Sequence, residues 1–171
     1  MSIKSTPAGY GAVAIVLHWS IALFILVALA SGFAADRIGA EAHNALRVHV
    51  ACGIAAGLLT LVRIGWWRFA DARPDAAPNT GGMKGVISRV VHILLVIIPL
   101  GMLASGVGMM ILSGAGPALF GMVSGPLPDF DRFPPRGPHG AGAFALLTML
   151  VLHVAAAFYH QYVLRDELFR R

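Results

Sequence analysis

The stretch 139–162, HGAGAFALLTMLVLHVAAAFYHQY, limits what this chain can become more than any other part of it. It is apolar and long enough to supply the ~20 residues that cross a bilayer core, yet it carries His139 at its head, His153 in its interior and His160 near its far end. Ionisable side chains are costly in lipid, so each of them requires a reason. On a helix rising ~1.5 Å per residue, the step from His139 to His153 is about 21 Å, close to a whole number of turns, and the two imidazoles share a face at different depths. A neutral imidazole is the commonest metal ligand and a frequent axial ligand of haem iron. One such helix therefore offers a ligand toward each side of a membrane.

The rest of the chain repeats the apolar pattern. Spans are predicted at about 13–34, 46–67, 86–112 and 139–162. With 57% hydrophobic and 12% charged residues and a mean hydropathy of +0.75, a soluble domain is excluded. The expected fold is all-α: an integral membrane four-helix bundle, with residues 1–171 as one domain. The first run follows Lys4 and precedes SGFAA, but it exceeds the roughly 7 to 15 apolar residues of a signal peptide and contains His18. The single cysteine, Cys52, excludes an internal disulfide, a four-cysteine cluster and a CxxCH attachment, so a haem would be held noncovalently. The net charge of +5 is spread over short connections and does not point to nucleic acid.

Those basic residues report topology. The N-terminal tail, the connection between spans two and three, and the C-terminal tail hold Lys4, Arg63, Arg68, Arg73, Lys84, Arg89, Arg165, Arg170 and Arg171; the other two connections hold Arg37, Arg47, Arg132 and Arg136. The positive-inside rule then places both termini in the cytoplasm. Tyr10, Trp66, Trp67 and Tyr162 fall at predicted span ends, where amphipathic rings favour the interface. Pro99 removes one backbone donor from span three and is expected to kink the helix, and Gly101, Ala104, Ser105 and Gly108 offer a small-residue face for close helix approach. The long connection 113–138 is rich in Gly and Pro and reads as an external loop, with Pro138 in the first turn of the last helix.

Reversing alternate spans pairs the histidines by depth. His18 and His153 lie toward the cytoplasmic side, His49 and His139 toward the external side. Each pair could supply both axial ligands to one haem, whereas a lone intramembrane histidine could equally hydrogen-bond across a helix interface. Zinc fits less well, because structural zinc needs four ligands close together and the two sets lie about 21 Å apart.

LHWS around His18, RVHVACG around His49, the Gly-Pro-His ending at His139 and LHVAAAFYHQYVLRD from Leu152 together resemble the bacterial cytochrome b561 family over essentially the whole chain. The resemblance implies a four-helix bundle in the bacterial inner membrane binding two b-type haems through His18, His49, His139 and His153. It also implies similarity to the superoxide oxidase branch, which takes electrons from superoxide at the periplasmic side and reduces ubiquinone. At the position of His160 that branch places a histidine at the quinone pocket, where imidazole can donate a hydrogen bond and then a proton; an interfacial histidine meeting headgroups is the plainer role.

Arg63 could pair with a haem propionate or snorkel to the interface. Arg47, Arg132 and Arg136 precede the outer histidines and could attract superoxide to the site, although Asp36, Glu41, Asp129 and Asp131 offset their charge. His92 reads as structural or pocket-lining, His43 as solvated, and Trp19 and Cys52 as packing. Two functions follow: a superoxide:ubiquinone oxidoreductase, or a quinone-coupled cytochrome subunit serving a periplasmic redox protein. The short loops favour the first.

Overall fold

The structure is a computed structural model that describes residues 2–75, 82–122 and 125–165, the side chains of Ala40 and Lys84 excepted; Arg170 and Arg171 of the charge count lie outside it. Four long helices carry the chain: α1 (Ala12–Ile38), α2 (His43–Gly65), α3 (Gly82–Ser113) and, after the short α4 (Gly116–Leu119), α5 (Arg136–Phe158). All four are long and apolar enough to cross a membrane. In lipid the backbone must satisfy its own polar groups, so apolar runs of this length become helices. Their isolated hydroxyls follow the same rule. Ser31 donates to the carbonyl of Val27, Thr60 to Ala56 and Thr148 to Phe144, each within its own helix.

α3 runs unbroken through Pro99, and Pro138 sits in the first turn of α5. The helical boundaries extend a few residues beyond the predicted spans, to Ala12–Ile38, His43–Ala70, Gly85–Ser113 and Arg136–Val163. α2 and α5 each finish in a π turn, at Trp66–Ala70 and Tyr159–Val163, closed by bonds from Asp71 N to Trp66 O (3.0 Å) and from Leu164 N to Tyr159 O (3.1 Å). Five-residue spacing winds more widely than α geometry.

α1 packs along α2 and α3 along α5, with α2 also meeting α3. Between the two pairs lies an apolar layer of Ile21, Ile25 and Leu29 from α1, Ala56 from α2 and Leu146 from α5, joined by Phe24, Phe33, Leu59, Leu95, Ile98 and Leu150. Large aliphatic side chains such as Leu23, Val86, Ile97, Ile111 and Val151 are exposed, as lipid-facing residues of a spanning bundle should be.

The ends of the bundle are closed by polar contacts. At the end where the chain begins, Asp71 accepts from the backbone N–H of Ser5 (3.0 and 3.1 Å), the Ser5 hydroxyl (2.8 Å) and Trp66 Nε1 (3.1 Å), while Ser5 Oγ accepts from Gly11 N. Burial disfavours the charged carboxyl, but these donors and the N–H of Ala72 outweigh it and hold Asp71 below the usual carboxylate range. Tyr10 meets Trp67 edge to face on the same end. At the opposite end the described residues of the connection between α3 and α5 form a cap. It buries Ala115, Leu119 and Leu127 against the bundle, with Ala42 also buried, and a 3-10 turn at Phe130–Arg132 leads into α5.

Candidate haem-binding sites

The ends are called outer and inner after the sidedness that the charge pattern predicts. At the outer end α2 presents His49 and α5 presents His139, with ring centroids 5.8 Å apart. At the inner end α1 presents His18 and α5 presents His153, 6.3 Å apart. Two imidazoles on opposite sides of one iron, each with a nitrogen about 2 Å from the metal as imidazole stands on zinc, hold their centroids about 6 Å apart. Both depth-matched pairs are therefore brought together at the spacing that axial ligation needs. Each pair takes one member from α5, His139 and His153 fourteen residues apart, and the apolar layer lies between them.

The protons at the outer pair can be placed. His49 Nδ1 stands 2.8 Å from the carbonyl of Ala28, which can only accept, so Nδ1 carries the hydrogen and Nε2 keeps its lone pair. His139 Nδ1 stands 2.8 Å from Ser105 Oγ. That hydroxyl has a single proton and already points it at backbone carbonyls, Gly101 O at 2.8 Å and Met102 O at 3.1 Å. With that proton on a carbonyl the ring is the donor, and the Met102 carbonyl is a further acceptor for it. His139 Nε2 keeps its lone pair, is buried, and has no hydrogen-bond partner among the described residues. A buried unpaired acceptor costs roughly 1–3 kcal/mol. A metal between His49 and His139 would satisfy it, and second-shell partners on the far ring nitrogens are the usual companions of ligating histidines. The donor set fits haem iron.

Two glycines make room for these rings. A Cβ at Gly32 of α1 would stand 2.7 Å from His49 Nδ1, and one at Gly106 of α3 would stand 3.3 Å from His139 Cε1. Nothing in the sequence marks Gly32 beyond its place in a small-residue stretch, and Ser105 is marked only as part of the small face of α3.

The inner pair is surrounded differently. His92 of α3 enters the site, its ring 5.2 Å from His153, with Nδ1 donating to Ser88 O at 2.6 Å. It thus lines the inner site, as one of its two predicted roles requires. Trp19 lies edge-on to His18 at 5.7 Å, with its own ring largely exposed to the lipid side. Arg63 of α2 is close enough to His18 and His153 to act on both electrostatically.

The remaining candidates are positioned as follows. His160 is half-buried beside Tyr159, with centroids 6.1 Å apart, in the π turn that ends α5. Arg136 joins Asp36 at the end of α1 to Asp131, its Nε 3.2 Å from the latter. Arg132 pairs with Asp129 at 3.0 Å on the surface. Arg47 donates to the carbonyl of Leu119 and to Asn44, tying α2 to the cap. His43, expected to be solvated, contacts the carbonyl of Gly125 at 3.2 Å because the cap folds back over it. Cys52 is a free, half-buried thiol.

Comparisons with known proteins bear on the family of the chain. Residues 9–171 match the family model for prokaryotic cytochrome b561. Cytochrome b562 of Cereibacter sphaeroides is 30% identical over 180 residues, covering 95% of this chain and 94% of that protein. No solved structure is a significant match to the chain.

Proposed function

The chain belongs to the prokaryotic cytochrome b561 family and is a membrane b-type cytochrome of electron transfer, and on that premise we propose that it carries electrons from the periplasmic face of the bacterial inner membrane to ubiquinone, with superoxide as the donor. The observation that carries this reading is the presence of two histidine pairs at ligating distance, one toward each end of the bundle. A b haem held at each pair, two per chain, would supply a one-electron iron couple on either side of the apolar layer. In balance, two superoxide anions and one ubiquinone with two protons give two dioxygen molecules and ubiquinol.

The protein residues have separate tasks in this scheme. His49 and His139 keep their Nε2 lone pairs directed into the outer site through the contacts of their Nδ1 atoms. His18 and His153 ligate at the inner site. Arg63 beside them offers a cation for a propionate. His160, at the inner end of α5, donates a hydrogen bond and a proton to the quinone carbonyl. Both termini face the cytoplasm, where that proton originates.

A quinone-coupled subunit with a periplasmic redox protein as its donor is the second reading, and the cap favours it. Arg47, Arg132 and Arg136 are each engaged with a carbonyl or carboxylate, which reduces their pull on a small anion and gives a partner protein an ordered surface. Stopped-flow mixing of the purified cytochrome with superoxide and a ubiquinone analogue separates the two. Haem reduction faster than spontaneous dismutation, slowing as salt screens the arginines, supports the oxidase; no reduction above that background removes superoxide and leaves the partner protein.

A further inference from the structure

In the outer pair a single side chain, Ser105, contacts a ring nitrogen of His139, beside the backbone carbonyl of Met102. Ala28 anchors His49 through its backbone, so no substitution there removes the acceptor. His139 is anchored by Ser105, a side chain on a different helix, together with the Met102 carbonyl of that same helix; with the hydroxyl hydrogen directed to the carbonyl of Gly101 or Met102, His139 Nδ1–H donates to Ser105 Oγ. The chain His139 Nδ1–H to Ser105 O–H to Gly101 C=O runs one way, each bond polarising the next.

We infer that Ser105 is a positioning residue of the outer site, which fixes the tautomer of His139 and lowers the potential of the iron it ligates. This rests on the reading that His49 and His139 ligate one haem. Donation from Nδ1 leaves the ring more anionic and Nε2 a stronger donor, which favours the oxidised metal. The second effect is orientation. Oγ lies on α3, so the bond sets the rotation of the His139 ring against a neighbouring helix, and Gly106 one residue further on leaves space for Cε1. A serine that merely bonds back to its own helix would do neither, and such back-bonding is common. What distinguishes Ser105 is its third contact, across the interface, to a ring whose other nitrogen is buried and unpaired.

The test is a potentiometric titration of the holoprotein, with Ser105→Ala, Ser105→Thr and His139→Ala read beside the wild type. His139→Ala identifies the outer haem as the one lost; retention of two haems in that variant overturns the ligand reading itself and is told apart from a failure of Ser105. In Ser105→Ala both haems should remain, and the outer one alone should titrate higher, by up to a ten-fold change in the ratio of oxidised to reduced iron, about 59 mV for one electron. Ser105→Thr keeps the hydroxyl and should restore the wild-type potential. If the alanine variant instead sheds the outer haem while the threonine variant holds it at wild-type potential, the orienting role is supported in its stronger form. An unchanged outer potential in Ser105→Ala, an equal shift at both haems, or loss of the outer haem in both variants overturns the assignment.

Discussion

At the outer end, His49 and His139 are each fixed through Nδ1 by an acceptor on a neighbouring helix, and glycines stand against both rings. At the inner end, no such anchor holds His18 or His153 among the described residues; a third imidazole, an indole and a guanidinium gather around them instead. The ring spacings differ by only half an ångström. Equal spacing thus arises in two ways. The outer site is preorganised by hydrogen bonds that choose the tautomer before any metal arrives, while the inner site is shaped by packing and leaves its ring nitrogens to be oriented by what they bind. Preorganised ligands resist redirection, so single changes should act sharply at the outer end and more gradually at the inner one.

The largest expected effect breaks the comparison altogether. Replacing His49 or His139 by Ala should remove one haem per chain and leave the other, and replacing His18 or His153 should do the converse. A pyridine haemochrome assay gives the stoichiometry, and a wild type with one haem per chain would end the two-site scheme. Gly32→Ala should come next, because its Cβ would press on His49 Nδ1, the atom held by Ala28. Overpacking of this kind costs roughly 1–3 kcal/mol; the outer haem should be retained several-fold less well, with the inner haem intact. An unaffected outer haem would show that the ring can move aside.

His92→Ala should sharpen the contrast from the other side. The expected result is two retained haems and a shifted absorption band and potential for the inner one, read by spectroelectrochemistry, since a ring 5.2 Å from His153 is removed. Loss of the inner haem would raise His92 from a lining residue to a ligand.

The smallest effect concerns the clamp at the inner end. The Asp71 carboxyl is held below its ordinary value of 3.8 by Ser5, Trp66 and Ala72, against the effect of burial. Its folded pKa is depressed, so its stabilisation is complete above the ordinary value and disappears as pH falls through the lower folded one. Protease sensitivity of the segment before α1 should rise over that acidic window in the wild type. In Asp71→Asn it should be high at neutral pH and nearly independent of pH, with haem content unchanged. Equal protection in the two proteins would show that backbone pairing of the segment suffices.

Much of this was legible in one dimension because a bilayer is a simple solvent. Apolar length alone locates four helices, and their small boundary extensions follow from the same backbone rule. Helical rise and direction then assign each histidine a depth, which was enough to match His18 with His153 and His49 with His139, since pairing across a bundle needs little more than equal depth. Azimuth and contact could not be read that way. Which face of α3 meets α5, and therefore that Ser105 reaches His139 and His92 reaches His153, depends on how the helices are rotated against one another. The fold of the cap, which occupies Arg47 and pairs Arg132 and Arg136 with carboxylates, joins residues up to 100 positions apart. Hydropathy and helical period define positions along one axis; tautomers, ring anchors and ion pairs are set by distances between axes, and only the packed bundle decides those.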